Sequence, residues 1–388
     1  MKKLLFITVF AIIGLSANAQ WIQTSLDTNE VFVMAAKGDT IFAGTIGNGV
    51  DVSFNNGRSW FAANSGLTNL EILSLAISGN NIFAGTVAGA FFSSNNGSYW
   101  TAINTGLANL NVEALLAYNG YIFAGLNVGG IFKTSNNGGI WTDANGGTSL
   151  NTEPVNAFLV SGASLLAGTN NGIYMTPDNG NHWTFLGLPD TIDVKDFAIN
   201  DGNIYAGTSG DGVYLSSDNG NSWTPVNTGF FNYEITSLAV KGNQTFAASR
   251  IKGVYLSTNN GSNWAAWNSG FSTYPMVQSL LVIGDTIFAG TLGNGVWKTS
   301  TSALNGIEKI NNNESNILVY PNPATNNLTI ESLQKSIIEI SNIQGQKILQ
   351  QSIQKGKTDI DISELAKGVY IFRLCSNDKT DVTKILKE

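Results

Sequence analysis

A short landmark, Phe-Ala-Gly-Thr or a close variant, recurs along most of this chain at a nearly constant step. Its glycines stand at 44, 85, 125, 168, 207 and 290, with Ala248 in the sixth place, so that successive spacings are 41, 40, 43, 39, 41 and 42. A second landmark keeps the same step: Trp60, Trp100, Trp141, Trp183, Trp223 and Trp264 each close a turn such as Ser216-Ser217-Asp218-Asn219-Gly220-Asn221-Ser222-Trp223. A unit of this size cannot bury its apolar face alone and must stack on its neighbours. Each unit reads as four short strands, for example Ile235 to Val240, Thr245 to Ala248, Gly253 to Ser257 and Trp264 to Trp267, divided by Gly/Asn turns. Four strands on a period near forty is the pattern of a propeller blade.

Six tryptophan turns accompany seven landmarks, and Trp21, 39 residues before Trp60, supplies the missing one. The last unit offers only three strands, Val277 to Ile283, Ile287 to Thr291 and Val296 to Ser300, and Trp21 to Leu26 can add the fourth. Chain ends that share one blade close a ring and remove a free sheet edge. The expected architecture is all-β: one seven-bladed β-propeller over 20–300. A parallel β-helix is the rival, but it wants coils of about half this period and no help from the N-terminus.

The two ends read differently. Lys2 and Lys3, the apolar run Leu4 to Leu15 and the small-residue site Ala17-Asn18-Ala19 form a secretory signal over 1–19, with Gln20 as the mature start. Twelve residues cover about 18 Å, too short for a hydrocarbon core of about 30 Å. No later stretch reaches membrane-spanning length, so no transmembrane segment is expected in the mature chain. Residues 301–316, with Asn311-Asn312-Asn313 and no hydrophobic period, read as a linker. Over 317–388, short alternating strands between turn residues predict a small antiparallel β-sandwich.

That last segment also resembles the C-terminal sorting domain of the type IX secretion system of Bacteroidota. The residues that carry the resemblance are Tyr320-Pro321-Asn322-Pro323, Ile343-Gln344-Gly345-Gln346-Lys347, Leu365-Ala366-Lys367-Gly368-Val369-Tyr370 and the basic Lys384-Ile385-Leu386-Lys387 finish. The resemblance implies passage of folded cargo through the outer membrane by the type IX machinery, then secretion or attachment to the cell surface.

The turn Ser-x-Asp/Asn-x-Gly-x-x-Trp resembles the Asp-box of sialidases, sortilin-type receptors and xyloglucanases. Four copies carry Asn (Asn55, Asn95, Asn136, Asn259) and two carry Asp (Asp178, Asp218). Either side chain can accept backbone N–H bonds in a tight turn, so the box is expected to be structural and peripheral. The aromatic row Phe91, Phe132, Tyr174, Tyr214, Tyr255 and Trp297 recurs once per unit beside apolar neighbours and is expected to pack between sheets rather than to stack sugars. Asp51 breaks that row in the first unit.

Candidate ligand-binding residues come from the position 14 before each landmark, where the innermost strand should begin at one rim of the axial channel. There stand Glu30, Glu71, Asn111, Pro154, Asp193, Glu234 and Met276, with Glu113 and Glu153 close by and Lys195, Asp196, Asp211 and Arg250 in the same region. Carboxylates about 8 Å apart repel by roughly 2 kcal/mol at an effective dielectric near 20, which favours cations or raises their pKa values. Such a rim could hold calcium, cationic groups or sugar hydroxyls, or only keep the protein soluble.

Composition removes most other chemistry. One His and one Cys in 388 residues make a four-ligand Cys/His zinc site and a disulfide framework impossible. His182 lies in an Asp-box beside Trp183, far from an axial site, and Cys375 lies in the sorting domain, so neither suits a catalytic triad or nucleophile. Residues 20–300 hold only Arg58 and Arg250, too few for a sialidase arginine triad. That span has 8 basic and 17 acidic residues, net −9, which argues against nucleic acid, whereas 301–388 balances at 10 and 10. Asp39-Thr40-Ile41, Asp190-Thr191-Ile192 and Asp285-Thr286-Ile287 look like the short O-glycosylation sequence of these bacteria, although hairpin turn chemistry explains the first and third just as well.

The expectation is an exported, cell-surface or secreted monomeric propeller, a non-catalytic binding module for a polysaccharide or a surface protein. A glycoside hydrolase or polysaccharide lyase using rim carboxylates is the alternative, since inverting hydrolysis needs only a carboxyl pair about 6.5 to 9.5 Å apart. Unit lengths of 39 to 43 leave no long loop to wall a cleft.

Overall fold

A computed structural model describes residues 20–188, 192–230, 233–271, 275–301, 318–332, 335–342, 346–375 and 380–388. The secretory signal, most of the linker, Gly345 of the sorting signature, and Asp190 and Thr191 of one Asp-Thr-Ile sequence lie outside the described residues. The chain divides into two compact units, Met1–Leu304 and Asn305–Glu388.

The first unit is a ring of seven four-stranded antiparallel sheets. Blade 1 runs through Val31–Lys37, Thr40–Thr45, Val50–Ser53 and Phe61–Ala62, from the innermost strand outwards. Blades 2 to 6 repeat this order with innermost strands Ile72–Ser78, Val112–Tyr118, Val155–Ser161, Val194–Asn200 and Ile235–Lys241. Blade 7 takes Val277–Ile283, Thr286–Thr291 and Val296–Ser300 from the end of the ring and Ile22–Gln23 from its start. Ile22 pairs with Lys298 and Gln23 with Trp297, so the N-terminal strand completes the last blade as the repeat arithmetic requires. Innermost strands of neighbouring blades touch all the way round, including blade 7 against blade 1.

The landmark glycine lies in the second strand, and its reason is the next blade. A Cβ at Gly44, Gly85, Gly125, Gly168, Gly207 or Gly290 would lie within 2.8 Å of the residue that opens the following innermost strand: Ile72, Val112, Val155, Val194, Ile235 and Val31 in turn. Those β-branched residues are fully buried, so each unit keeps a small residue where its neighbour's bulk enters. The landmark is therefore an interface between blades rather than a turn.

The tryptophan landmark also works between blades. In each box Asn or Asp Oδ1 accepts the backbone N–H four residues on, as in Ser59 to Asn55 and Ser222 to Asp218, both at 2.9 Å. The residue after it takes the positive φ that closes the turn, 55–59° from Asn56 to Asn260. The ring of the Trp then reaches back: Nε1 of Trp100, Trp141, Trp183 and Trp264 donates to the carbonyls of Ala63, Ile103, Ala144 and Val226. Each acceptor lies three residues past the Trp of the preceding blade. Trp21 obeys the same rule, donating to Trp267 O at 2.8 Å, and thus serves as the seventh Trp. The aromatic row packs in the cores between blades, Phe91, Phe132, Tyr255 and Trp297 buried and Tyr174 and Tyr214 partly so.

In the second unit, strands Leu318–Tyr320, Asn327–Ser332 and Gly356–Asp361 form one antiparallel sheet. Lys347–Ile353, Ser336–Asn342, Gly368–Cys375 and Thr380–Lys387 form the other. Leu328, Ile330 and Ile360 of the first share one core with Ile338, Ile340, Phe372 and Ile385 of the second. The Tyr320-Pro321-Asn322-Pro323 turn is fastened to the last strand, with Asn322 Oδ1 accepting from Leu386 N at 2.9 Å. Tyr370 donates to Ala366 O across the Ala-Lys-Gly turn.

Candidate functional site

Every innermost strand starts with the same irregularity. Between Val31 and Val33 the pairing to the second strand skips Phe32, and it skips Leu73, Glu113, Asn156, Lys195, Thr236 and Gln278 at the matching place in the other blades. An extra residue in one strand of an antiparallel pair bends that strand and redirects a side chain. All seven of these residues line one cavity of about 340 Å³ at the end of the axial channel where the innermost strands begin. Glu234 and Arg250, both partly exposed, also line it, which puts its mouth at that rim.

Around the ring the chemistry is uneven. Blades 1 and 2 contribute Phe32 and Leu73, an apolar arc, whereas blades 3 to 7 contribute Glu113, Asn156, Lys195, Thr236 and Gln278. Part of the polar side stitches blades together. Asn156 Nδ2 donates to Val194 O at 3.0 Å, and Thr236 Oγ1 donates to Val277 O at 2.7 Å. Asp196 Oδ2 accepts from Ser237 Oγ and from Leu238 N of the next blade, while Leu280 N donates to Ser237 Oγ at 3.1 Å. Burial pushes the Asp196 carboxyl up to about 6 against those hydrogen bonds.

The remaining charges are partly paired. Lys195 Nζ lies 2.8 Å from Asp193, and Arg250 lies 3.4 Å from Glu234. Burial raises the Glu113 carboxyl above its ordinary range, opposed by the Lys195 charge and a hydrogen bond from Asn111. Three buried polar atoms on or beside the cavity have no partner: Gln278 Oε1, Ser279 Oγ and Asn111 Oδ1.

The rim candidates read from sequence therefore separate. Glu113, Lys195, Glu234 and Arg250 line the cavity, as does Asp196. Glu30 and Glu71 stand exposed at the rim, Asp193 acts through Lys195, Glu153 is held by Asn171, and Asp211 is exposed in a hairpin. Apart from Glu234, the position 14 before the landmark stays out of the cavity lining and has a backbone task. In blades 1, 3, 5, 6 and 7 its carbonyl receives the N–H of its own blade's hairpin, as in Ile46 to Glu30, Ser209 to Asp193 and Leu292 to Met276. Phe32, Leu73, Asn156, Thr236, Gln278 and Ser279 were not legible as site residues by counting 14 back. The signal that finds the first five is a chemically varied position directly after seven buried β-branched residues, and Ser279 follows one place later. Among the described residues, no three His, Cys, Asp or Glu side chains converge as a bound metal would require. His182 sits exposed in its box, 2.6 Å from Asp178.

Residues 318–388 match the family described as secretion system C-terminal sorting domain. Residues 157–338, from the innermost strand of blade 4 onwards, match the DUF6242 β-propeller domain. No curated protein matches the chain significantly. Among solved structures, YCF48 bound to D1 peptide is similar at 14% identity and a TM-score of 0.58, over 73% of this chain and 96% of that one. The extracellular domain assigned to a hybrid two-component system, BT3049 of B. thetaiotaomicron, is similar at 15% identity and 0.60, over 96% and 58%. The GH74 enzyme of Niastella koreensis is similar at 13% and 0.59, over 95% and 74%. At these identities the likeness is one of fold. The ring of blades and the sorting-domain match together make this chain an exported β-propeller protein carrying a type IX secretion sorting domain, destined for secretion or the cell surface.

Proposed function

We propose that the propeller is a non-catalytic binding module and that it holds a protein partner on the face around the cavity mouth. The observation that carries this reading is an apolar collar. Leu70, Leu110, Tyr233 and Met276 precede innermost strands, and Val128 and Ile251 sit in the hairpins beside them, all between 37% and 55% exposed. Backbone bonds from Gly47 and Gly49 to Leu70 O, and from Gly210 and Gly212 to Tyr233 O, tie these loops into one rim. Exposed apolar groups that rim a polar pocket favour a protein contact, whereas a glycan surface would want flat aromatic platforms. The similarity to a propeller bound to a peptide is consistent with this use of the fold.

A second reading, hydrolysis or lyase cleavage of a polysaccharide, draws on Glu113, whose raised carboxyl would suit a general acid. Against it, Glu234 faces Arg250 and Asp196 is occupied by backbone and hydroxyl donors. The test is binding of the full chain and its Tyr233→Asp and Met276→Asp variants to peptide and glycan arrays, with and without calcium. Peptide binding that both variants lose supports the protein reading. Glycan retention unaffected by the variants, or new reducing ends, refutes it.

A further inference from the structure

The arc running through blades 7, 1, 2 and 3 has a consistent chemistry. It offers Gln278 at one end, Phe32 and Leu73 in the middle, and Glu113 at the other end, with Ser279 Oγ turned to the seam of blades 7 and 1 beside Gly290 and Val31. Ser279 is only 8% exposed and its hydroxyl has no partner, and Gln278 Oε1 and the Asn111 Oδ1 behind Glu113 have none either. Buried polar atoms are rarely left unpaired, so a ligand that supplies donors is the natural completion. Charge points the same way: Glu113, Asp196, Glu234 and the Asp193 behind Lys195 outnumber Lys195 and Arg250 by four to two.

Resting on the protein-binding reading above, we infer that this cavity takes one cationic side chain, lysine or arginine, from the protein partner. The aliphatic stem lies along Phe32 and Leu73, and the charged head donates to Glu113 and Gln278 Oε1. Lysine and arginine combine an apolar stem with a donor-only head, which is the pairing this arc presents. A carboxylate ligand would meet the same acceptors and the same excess negative charge, and a neutral apolar side chain would leave them unpaired. Lys195 is held at its 2.8 Å contact with Asp193, and its charge, which already acts on Glu113, competes with the incoming cation.

The test uses the full chain and four blocked amino acids, the Nα-acetyl methylamides of lysine, arginine, norleucine and glutamate, with cadaverine as a free amine, followed by calorimetry at pH 7. The lysine or arginine probe is expected to bind about tenfold or more tighter than norleucine, with no measurable binding of the glutamate probe. Glu113→Gln, nearly isosteric, should lose that preference, Gln278→Leu should weaken it, and Lys195→Gln should strengthen it. Equal binding of norleucine or glutamate, indifference to Glu113→Gln, or no binding of any probe overturns the inference. Cadaverine binding tighter than the blocked amino acids overturns the protein source. Peptide-array binding lost in Tyr233→Asp without any cationic preference sinks this inference alone and leaves the protein-binding reading standing.

Discussion

The closure of the ring can be tested at a single residue. Trp21 is 1% exposed, its ring stacked on Phe271 at 4.8 Å and set edge-on to Trp267 at 5.2 Å, with its Nε1 bonded to Trp267 O. It belongs to the core cluster that joins blade 6 to blade 7, with Phe246, Val254, Val277 and Trp297. Truncating a buried Trp to Ala costs about 3–5 kcal/mol, a figure that includes the cavity and the orphaned carbonyl. Total stabilities of about 5–15 kcal/mol make that a large fraction. Trp21→Ala should therefore lower the calorimetric transition of the propeller, by roughly 2–4 °C for each kcal/mol in a domain of a few hundred residues. The sorting domain, a separate unit with its own core, should melt unchanged and serve as an internal reference. Trp223→Ala provides the control, because Trp223 Nε1 has no partner and the side chain is only partly buried, so it should cost less. If Trp21→Ala shifts the transition no more than a surface substitution would, about 0.5 kcal/mol or less, the N-terminal strand does not lock blade 7 and the reasoning fails.

Three further outcomes are expected. Gly125→Ala should destabilise the propeller more than Gly207→Ala, since the new methyl would meet the Val155 carbonyl at 2.7 Å in the first case and only side-chain atoms of Ile235 and Leu238 in the second; equal losses in urea midpoints would contradict this. Burial pushes the Asp196 carboxyl up to about 6 from its ordinary 3.8, so the folded chain binds the proton more tightly and stability falls as pH rises from about 4 to 6, by up to about 3 kcal/mol. Asp196→Asn, which can still accept from Leu238 N, should flatten that slope between pH 4.5 and 7, and an unchanged slope would assign it elsewhere. Binding of the cationic probe should weaken as pH falls through the raised range of Glu113, in a cavity whose other titratable groups are Lys195, Asp196, Glu234 and Arg250; calorimetry at pH 5 and 7 with Glu113→Gln as the reference checks it.

Spacing alone determined the architecture. Steps of 39 to 43 residues, an unmatched seventh landmark and Trp21 at the right distance from Trp60 imply seven blades closed by the chain's own start. Such counting succeeds because every blade must present the same small residue and the same Trp to its neighbour, which forces repetition into the sequence. The sorting domain was legible for a similar reason, through turn and strand motifs in a set order. What only the tertiary structure decided is which residues look into the channel. Strict alternation predicts that positions 14 and 12 before the landmark share a face, but the strand begins at 13, where Val31 and its six equivalents are buried, and bulges at 12. The rim glutamates Glu30 and Glu71 are thereby left outside, while Phe32, Leu73, Gln278 and Ser279 become the wall. A bulge has no local sequence code here, since residues as different as Phe, Glu, Lys and Gln occupy it. It arises because seven strands converge on one axis and must bend where the next blade's bulk meets the landmark glycine.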